Sequence, residues 1–179
     1  MNLWHDISIG KNAPEEFNCI IEIPKGSHNK YEIDKETGLI KLDRANYGPT
    51  PYPVNYGFIP KTLWEDGDAI DVILLSTFPI DIGILVKARP VALMEMTDDG
   101  ESDNKIIAVP VDDIRFEDTN NLEDLNKHSL REYAHFFENG KKLKSKPVVV
   151  TVHGFKGKKE AMETIKKSQE LYNKKFGKK

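Results

Sequence analysis

Over the first 110 residues, apolar and polar positions alternate in short bursts separated by turn residues, a pattern of strands rather than helices. Residues 19–23 are apolar and mostly β-branched and stop at Pro24. Residues 30–33 alternate, and the turn Lys35-Glu36-Thr37-Gly38 leads into an apolar stretch at 39–42. That pair predicts a hairpin in which glycine supplies the positive φ. The segment 48–60 carries four prolines, which excludes a helix. Further strands are predicted at 69–75, 83–93 and 106–109. The period then changes. Residues 122–139 place Leu130, Tyr133, Ala134 and Phe137 on one helical face, with Gly140 as the stop. Residues 147–152 return to strand, and 158–176 form a second amphipathic helix through Ala161, Met162, Ile165, Leu171 and Tyr172. Lys178 and Lys179 are placed to complement the negative end of that helix. No repeat or long linker divides the chain, so residues 1–179 are expected to form a single domain. Many short strands followed by two helices predict a mainly β (α+β) fold: a small barrel with helices packed outside it.

Composition narrows the function. A net charge of −3, from 29 acidic and 26 basic residues, argues against a protein built to neutralise nucleic-acid phosphates. No apolar run approaches the roughly 20 residues needed to span a bilayer. The N-terminus lacks the basic and apolar regions of a secretory signal. A single cysteine, Cys19, leaves no internal disulfide and fits a reducing compartment. The expectation is a cytoplasmic protein without nucleic-acid or membrane partners and without a zinc ribbon.

Three charged clusters change the picture. In E-D-G-D-A-I-D-V at 65–72, Asp66, Asp68 and Asp71 sit beside a glycine that lets the backbone curl, just before an apolar run. Such acids either form a solvated turn or converge on a hard divalent cation such as Mg2+. The stretch 98–105 holds Asp98, Asp103 and Lys105; it reads as a solubilising hairpin loop, yet Asp103 and Lys105 point to one face. In N-K-Y-E-I-D at 29–34, Lys30 and Glu32 share a face, while Glu22 interrupts an apolar strand. A cross-strand salt bridge is the ordinary account of those three. Arg44 ends the next strand and offers a planar fork for phosphate oxygens. Singly, each is an ordinary surface residue. Together they supply acids for several hard cations and bases for a multiply charged anion, which suits phosphoryl transfer. No G-x-x-x-x-G-K-[ST] loop and no G-x-S-x-G elbow occurs. A metal-activated water is therefore a better candidate nucleophile than a serine or Cys19.

The ordered stretches I-I-E-I-P-K-G at 20–26, N-K-Y-E-I-D at 29–34, L-D-R at 42–44, Y-P-V-N-Y-G-F-I-P at 52–60, D-G-D-A-I-D-V at 66–72, A-R-P-V at 88–91, M-T-D-D-G-E-S-D-N-K at 96–105 and A-H-F-F at 134–137 carry a resemblance. Over nearly its whole length the chain resembles the family I soluble inorganic pyrophosphatases. The resemblance implies a five-stranded OB-like closed barrel with extra hairpins and two flanking helices. It also implies a homohexamer and hydrolysis of pyrophosphate to two phosphates with three or four Mg2+ ions. Position by position, it implies that Asp66, Asp71 and Asp103 hold metal and that Asp68 is the general base. Asp98 and Glu32 would serve further metals. Lys30, Arg44, Tyr56 and Lys141 would hold phosphate oxygens, with Lys105 and Glu22 in support. Three positions depart from the family pattern: Ala69 stands where proline or glutamate is usual, and Asp99 where glutamate is common. Gly140 replaces a tyrosine before Lys141, which removes one phosphate-binding hydroxyl. The alternatives are an OB-like module for nucleic acid or oligosaccharide, or a phosphate or pyrophosphate binder without turnover.

Overall fold

A computed structural model describes residues 1–177, so the expectation for Lys178 and Lys179 lies outside the described residues. In chain order the strands are β1 (Phe17–Ile23), β2 (Asn29–Ile33), β3 (Ile40–Ala45), β4 (Asn55–Phe58), β5 (Asp71–Leu74), β6 (Leu85–Asp98), β7 (Glu101–Ser102), β8 (Lys105–Pro110) and β9 (Val150–Gly157). The helices are α1 (Lys127–Asn139) and α2 (Lys158–Phe176). Mostly β with two helices, the architecture agrees with the expected OB-like fold.

The main sheet runs β1-β4-β5-β8-β6, and β6 pairs back onto β1, closing a ring of five strands. One junction is parallel, β5 to β8, and the others are antiparallel. β6 is long, 14 residues, because it serves several partners. Its first half closes the ring, its far half pairs with β9, and its end pairs with β7. A register shift between Pro90 and Ala92 lets it bend between those tasks. β2 and β3 form a separate two-stranded sheet.

Alternation along the ring strands explains the core. Cys19, Ile21, Val72, Leu74, Ile106 and Ala108 join one buried cluster with Ala161 and Ile165 of α2. Ile73, Ile107 and Val109 join another with Tyr52, Tyr56 and Leu130. Each fully buried isoleucine or leucine contributes about 1.5–3 kcal/mol. In β1 a register shift between Ile21 and Ile23 breaks the alternation, so these two residues fall in different clusters and Glu22 is re-aimed. Gly57 on β4 faces the β1 backbone so closely that a Cβ there would lie 2.0 Å from the Ile20 carbonyl oxygen.

Several boundaries differ from the sequence expectation. The helix expected over 122–139 starts only at Lys127, because the Asn126 side chain accepts from the backbone N–H groups of His128 and Ser129. Leu122–Asp124 instead make a separate 3-10 turn, and Leu125 is extended. The strand expected over 147–152 is displaced to Val150–Gly157, where β6 gives it a partner. β4 lies hidden in the proline-rich segment.

Candidate active site

The acidic turn before β5 is closed by the backbone of Trp64. Its N–H donates to the Asp68 carbonyl at 2.7 Å, and its carbonyl accepts from Gly67 at 3.1 Å. Gly67 has φ +88°, a left-handed conformation that a side chain would resist. The Asp66 carboxylate accepts from the Asp68 N–H at 3.0 Å. Asp71, three residues beyond, is the first residue of β5 and pairs in register with Lys105, the first of β8. The hairpin joining β6 and β8 carries Asp98 and Asp103. Thus adjacent strand ends bring both acidic clusters to one end of the ring.

The basic groups arrive from elsewhere. Lys30 and Glu32 are on β2, Arg44 is on β3, and Lys141 follows α1. All twelve site residues expected from the sequence line one cleft of about 650 Å³. Phe136 and Phe137 of α1 form part of its wall, with ring centroids 4.9 Å from Tyr52 and 6.0 Å from Tyr56 respectively.

Opposite charges interlock within the cleft. Lys105 is 2% exposed, and its Nζ reaches Asp103 at 2.8 Å, Asp71 at 2.9 Å and the Tyr56 hydroxyl at 2.8 Å. The Tyr56 hydroxyl donates to Asp71 at 2.5 Å. Burial pushes that hydroxyl well above its usual pKa, and the Asp71 charge adds to the effect. Lys30 bridges Glu32 at 3.0 Å and Asp43 at 3.1 Å. Burial pulls the Lys30 ammonium down, yet those two carboxylates hold it up at about 12. Arg44 pairs with Asp43, Lys141 with Asp98, and Lys35 with Asp68. Glu22, 5% exposed, accepts the Ile33 N–H at 2.7 Å and so joins β1 to the β2–β3 hairpin.

Three carboxyls are held above their usual range, chiefly by burial and further by neighbouring acids. Burial, with the Asp71 charge added, pushes Glu22 up to about 8. Burial pushes Asp66 up to about 6, reinforced by Asp71, Asp103 and Asp68. Asp103 is raised by burial and by Asp71 and Asp98, although Lys105 opposes this. A bound cation would relieve all three. The donors are hard carboxylate oxygens, the type that suits Mg2+. Among the described residues no three histidine, cysteine or acidic side chains converge into a ready-made cage. Lys105 stands between Asp71 and Asp103, and Lys35 and Lys141 occupy Asp68 and Asp98.

Lys35, by sequence only a turn residue, also lines the cleft. Its Nζ reaches the Gly67 carbonyl at 3.4 Å, which no local pattern announces. Asp43, by sequence the end of a strand, proves to be the shared anion of Lys30 and Arg44; a register shift between Lys30 and Tyr31 leaves it unpaired in the ladder. No helix among the described residues is long and apolar enough to cross a membrane.

Comparison with known proteins gives a consistent result. The sequence model of the family described as "Inorganic pyrophosphatase" matches residues 19–173. A soluble inorganic pyrophosphatase of Oryza sativa subsp. indica is 47% identical over 169 residues, covering 94% of this chain and 78% of the rice protein. Soluble inorganic pyrophosphatase 5 of Arabidopsis thaliana is 48% identical, covering 94% of this chain and 77% of its own. The crystal structure of inorganic pyrophosphatase from Thermus thermophilus superposes with a TM-score of 0.93 at 40% identity, over 97% of this chain and 99% of that one.

Proposed function

The chain belongs to the inorganic pyrophosphatase family and hydrolyses pyrophosphate to two orthophosphates; from that premise we propose how its own residues divide the work. One observation supports the division most: acids from β5, β6 and the β7–β8 connection face cations from β2, β3 and the end of α1 across one cleft. Asp66, Asp71 and Asp103 would hold Mg2+, with Asp98 and Glu32 beside further ions, three or four in all. When bound, such ions acidify water and offset phosphate charge.

The remaining roles belong to the protein. Asp68 accepts the proton of the attacking water as the water oxygen bonds to one phosphorus. The bridging P–O bond then breaks, and its electron pair leaves with the second phosphate. Lys30, Arg44, Tyr56 and Lys141 hold the phosphate oxygens, so developing charge meets cations and a hydroxyl that are already placed. Lys105 keeps Asp71 and Asp103 in register, and Glu22 ties the hairpin to the ring. The nucleic-acid reading is disfavoured by the same acids, which repel a phosphate backbone.

Phosphate release from pyrophosphate tests the metal assignment. Treatment with EDTA is expected to lower the rate by more than about a hundredfold, and added Mg2+ to restore it. Undiminished release in EDTA would contradict the assignment.

Gly140 is where the resemblance implies a departure from the family pattern. It lines the cleft directly after α1, with φ −59°, so a side chain is conformationally allowed. A Cβ there would lie 3.1 Å from the Phe136 carbonyl oxygen, a contact that a small shift accommodates. Gly140→Tyr is expected to lower the KM for pyrophosphate and strengthen inhibition by phosphate, each by about two- to tenfold, the value of one added hydrogen bond. An unchanged KM together with unchanged inhibition sinks this idea.

The lone buried Cys19 and relatives called soluble support a cytoplasmic location. Exposed apolar side chains at Phe78, Ile84 and Ile114 supply surface for self-association, in keeping with a homohexamer.

A further inference from the structure

Asp71 and Asp103 are placed by the β5–β8 ladder and by the Lys105 ammonium between them. Asp66 and Asp68 lack that support, because the turn that carries them precedes β5 and belongs to no strand. A side chain outside the cleft holds this turn against the hairpin of Asp98 and Asp103. Trp64 is 6% exposed, and its indole Nε1–H donates to the Ser102 hydroxyl at 3.2 Å. Ser102 is the last residue of β7 and lies directly before Asp103. The backbone of the same tryptophan closes the acidic turn at both ends.

The brace is backed by α2. The Lys167 Nζ sits 4.7 Å from the centroid of the Trp64 ring and also pairs with Glu65 at 2.5 Å. The neighbouring Leu63 N–H donates to the Ser168 carbonyl at 2.9 Å. Trp64 thus has its ring against α2, its indole N–H on the β7 hairpin and its main chain in the turn. Tryptophan suits this position because it offers a large apolar body together with a polar edge.

We propose that Trp64 is a positioning residue that, through its hydrogen bond to Ser102, sets the spacing between the Asp66–Asp68 turn and the Asp98–Asp103 hairpin, and so sets the affinity of the cleft for divalent cations. The inference rests on the metal-dependent pyrophosphatase reading. It touches the acid side of the cleft alone. Lys30, Arg44 and Tyr56 stand on β2, β3 and β4, away from the brace, so its loss should bear more on Mg2+ than on the KM for pyrophosphate.

The test compares Trp64→Phe, which keeps an aromatic ring but removes the donor, with Ser102→Ala and with the double variant. Mg2+ binding is read by isothermal titration calorimetry, alongside kcat, KM for pyrophosphate, and melting temperature. Each single variant is expected to bind Mg2+ roughly three- to tenfold more weakly, the range of one hydrogen bond. A lower kcat and a KM within about twofold of wild type should accompany this, and the double variant should be no worse than either single one. A lost structural prop alone would lower the melting temperature without this split. Wild-type Mg2+ affinity and kcat in both single variants, or effects that multiply in the double variant, overturn the proposal. Should Trp64→Phe fold poorly, Ser102→Ala decides alone, since it removes one half-buried oxygen. A wild-type chain that binds Mg2+ without releasing phosphate overturns the hydrolytic reading, while the calorimetric comparison still decides the brace. One that binds no Mg2+ overturns both.

Discussion

Asp68→Asn is expected to lower turnover of Mg2+-pyrophosphate by about 10²–10⁴-fold, the usual contribution of a positioned general base. That corresponds to roughly 3–5 kcal/mol of transition-state stabilisation. The substitution is close to isosteric. An amide cannot take up a proton at neutral pH, whereas a carboxylate can. Little else should change, because the fold uses the backbone of Asp68: its carbonyl accepts from Trp64, and its N–H donates to Asp66. The side chain is 55% exposed and pairs with the similarly exposed Lys35. Such a surface pair contributes about 0–1 kcal/mol, so its weakening costs little stability. Phosphate release by the variant, measured beside its melting curve, checks both halves. Full activity would remove Asp68 from the mechanism.

The second large effect concerns stability. In Gly57→Ala the added methyl carbon would meet the Ile20 carbonyl oxygen at 2.0 Å and the Ile20 carbonyl carbon at 2.9 Å. Both are backbone atoms of β1, which is held on one side by β4 and on the other by β6. Neither can yield as a flexible side chain would, so the strands must separate. A cost of about 3–5 kcal/mol is expected. At roughly 2–4 °C per kcal/mol for a chain of this size, the melting temperature should fall by about 6–20 °C. Activity should fall as well, since the adjacent Tyr56 contacts both Asp71 and Lys105. A melting temperature within about 2 °C of wild type would show that the β1–β4 contact readily gives way.

The ring strands were legible because both their faces are buried, so that Val72–Leu74 and Ile106–Val109 read as short unbroken apolar runs. The second helix was equally plain in its 3.6-residue period. β4 was not, since the prolines that flank it and its own glycine disguise a strand whose hydrogen bonds are decided by β1 and β5. The late start of α1 was hidden for a local reason: Leu122 and Leu125 fit the apolar period, but Asn126 caps a helix that begins only at Lys127. All twelve expected site residues lie on one cleft. The partners of those residues were not readable. Lys35 to Asp68 and Lys141 to Asp98 join positions tens of residues apart, and only tertiary packing sets such pairs. The Trp64–Ser102 contact was invisible for the same reason. From sequence alone, metal cations balance the acidic turn. In the structure ammonium groups meet it, Lys35 on Asp68 and Lys105 on Asp71, so lysines offset part of its charge beside the cations proposed above.

The β2–β3 hairpin is a sheet of its own, and every residue of β2 is only half-buried. It rests on the ring through a few discrete contacts: the Ile33 N–H on Glu22, and Lys35 on Asp68 and on the Gly67 carbonyl. The hairpin carries Lys30 and Arg44 into the cleft, so two of the cations proposed to meet pyrophosphate are set in place by a few local ties and not by a strand ladder to the ring.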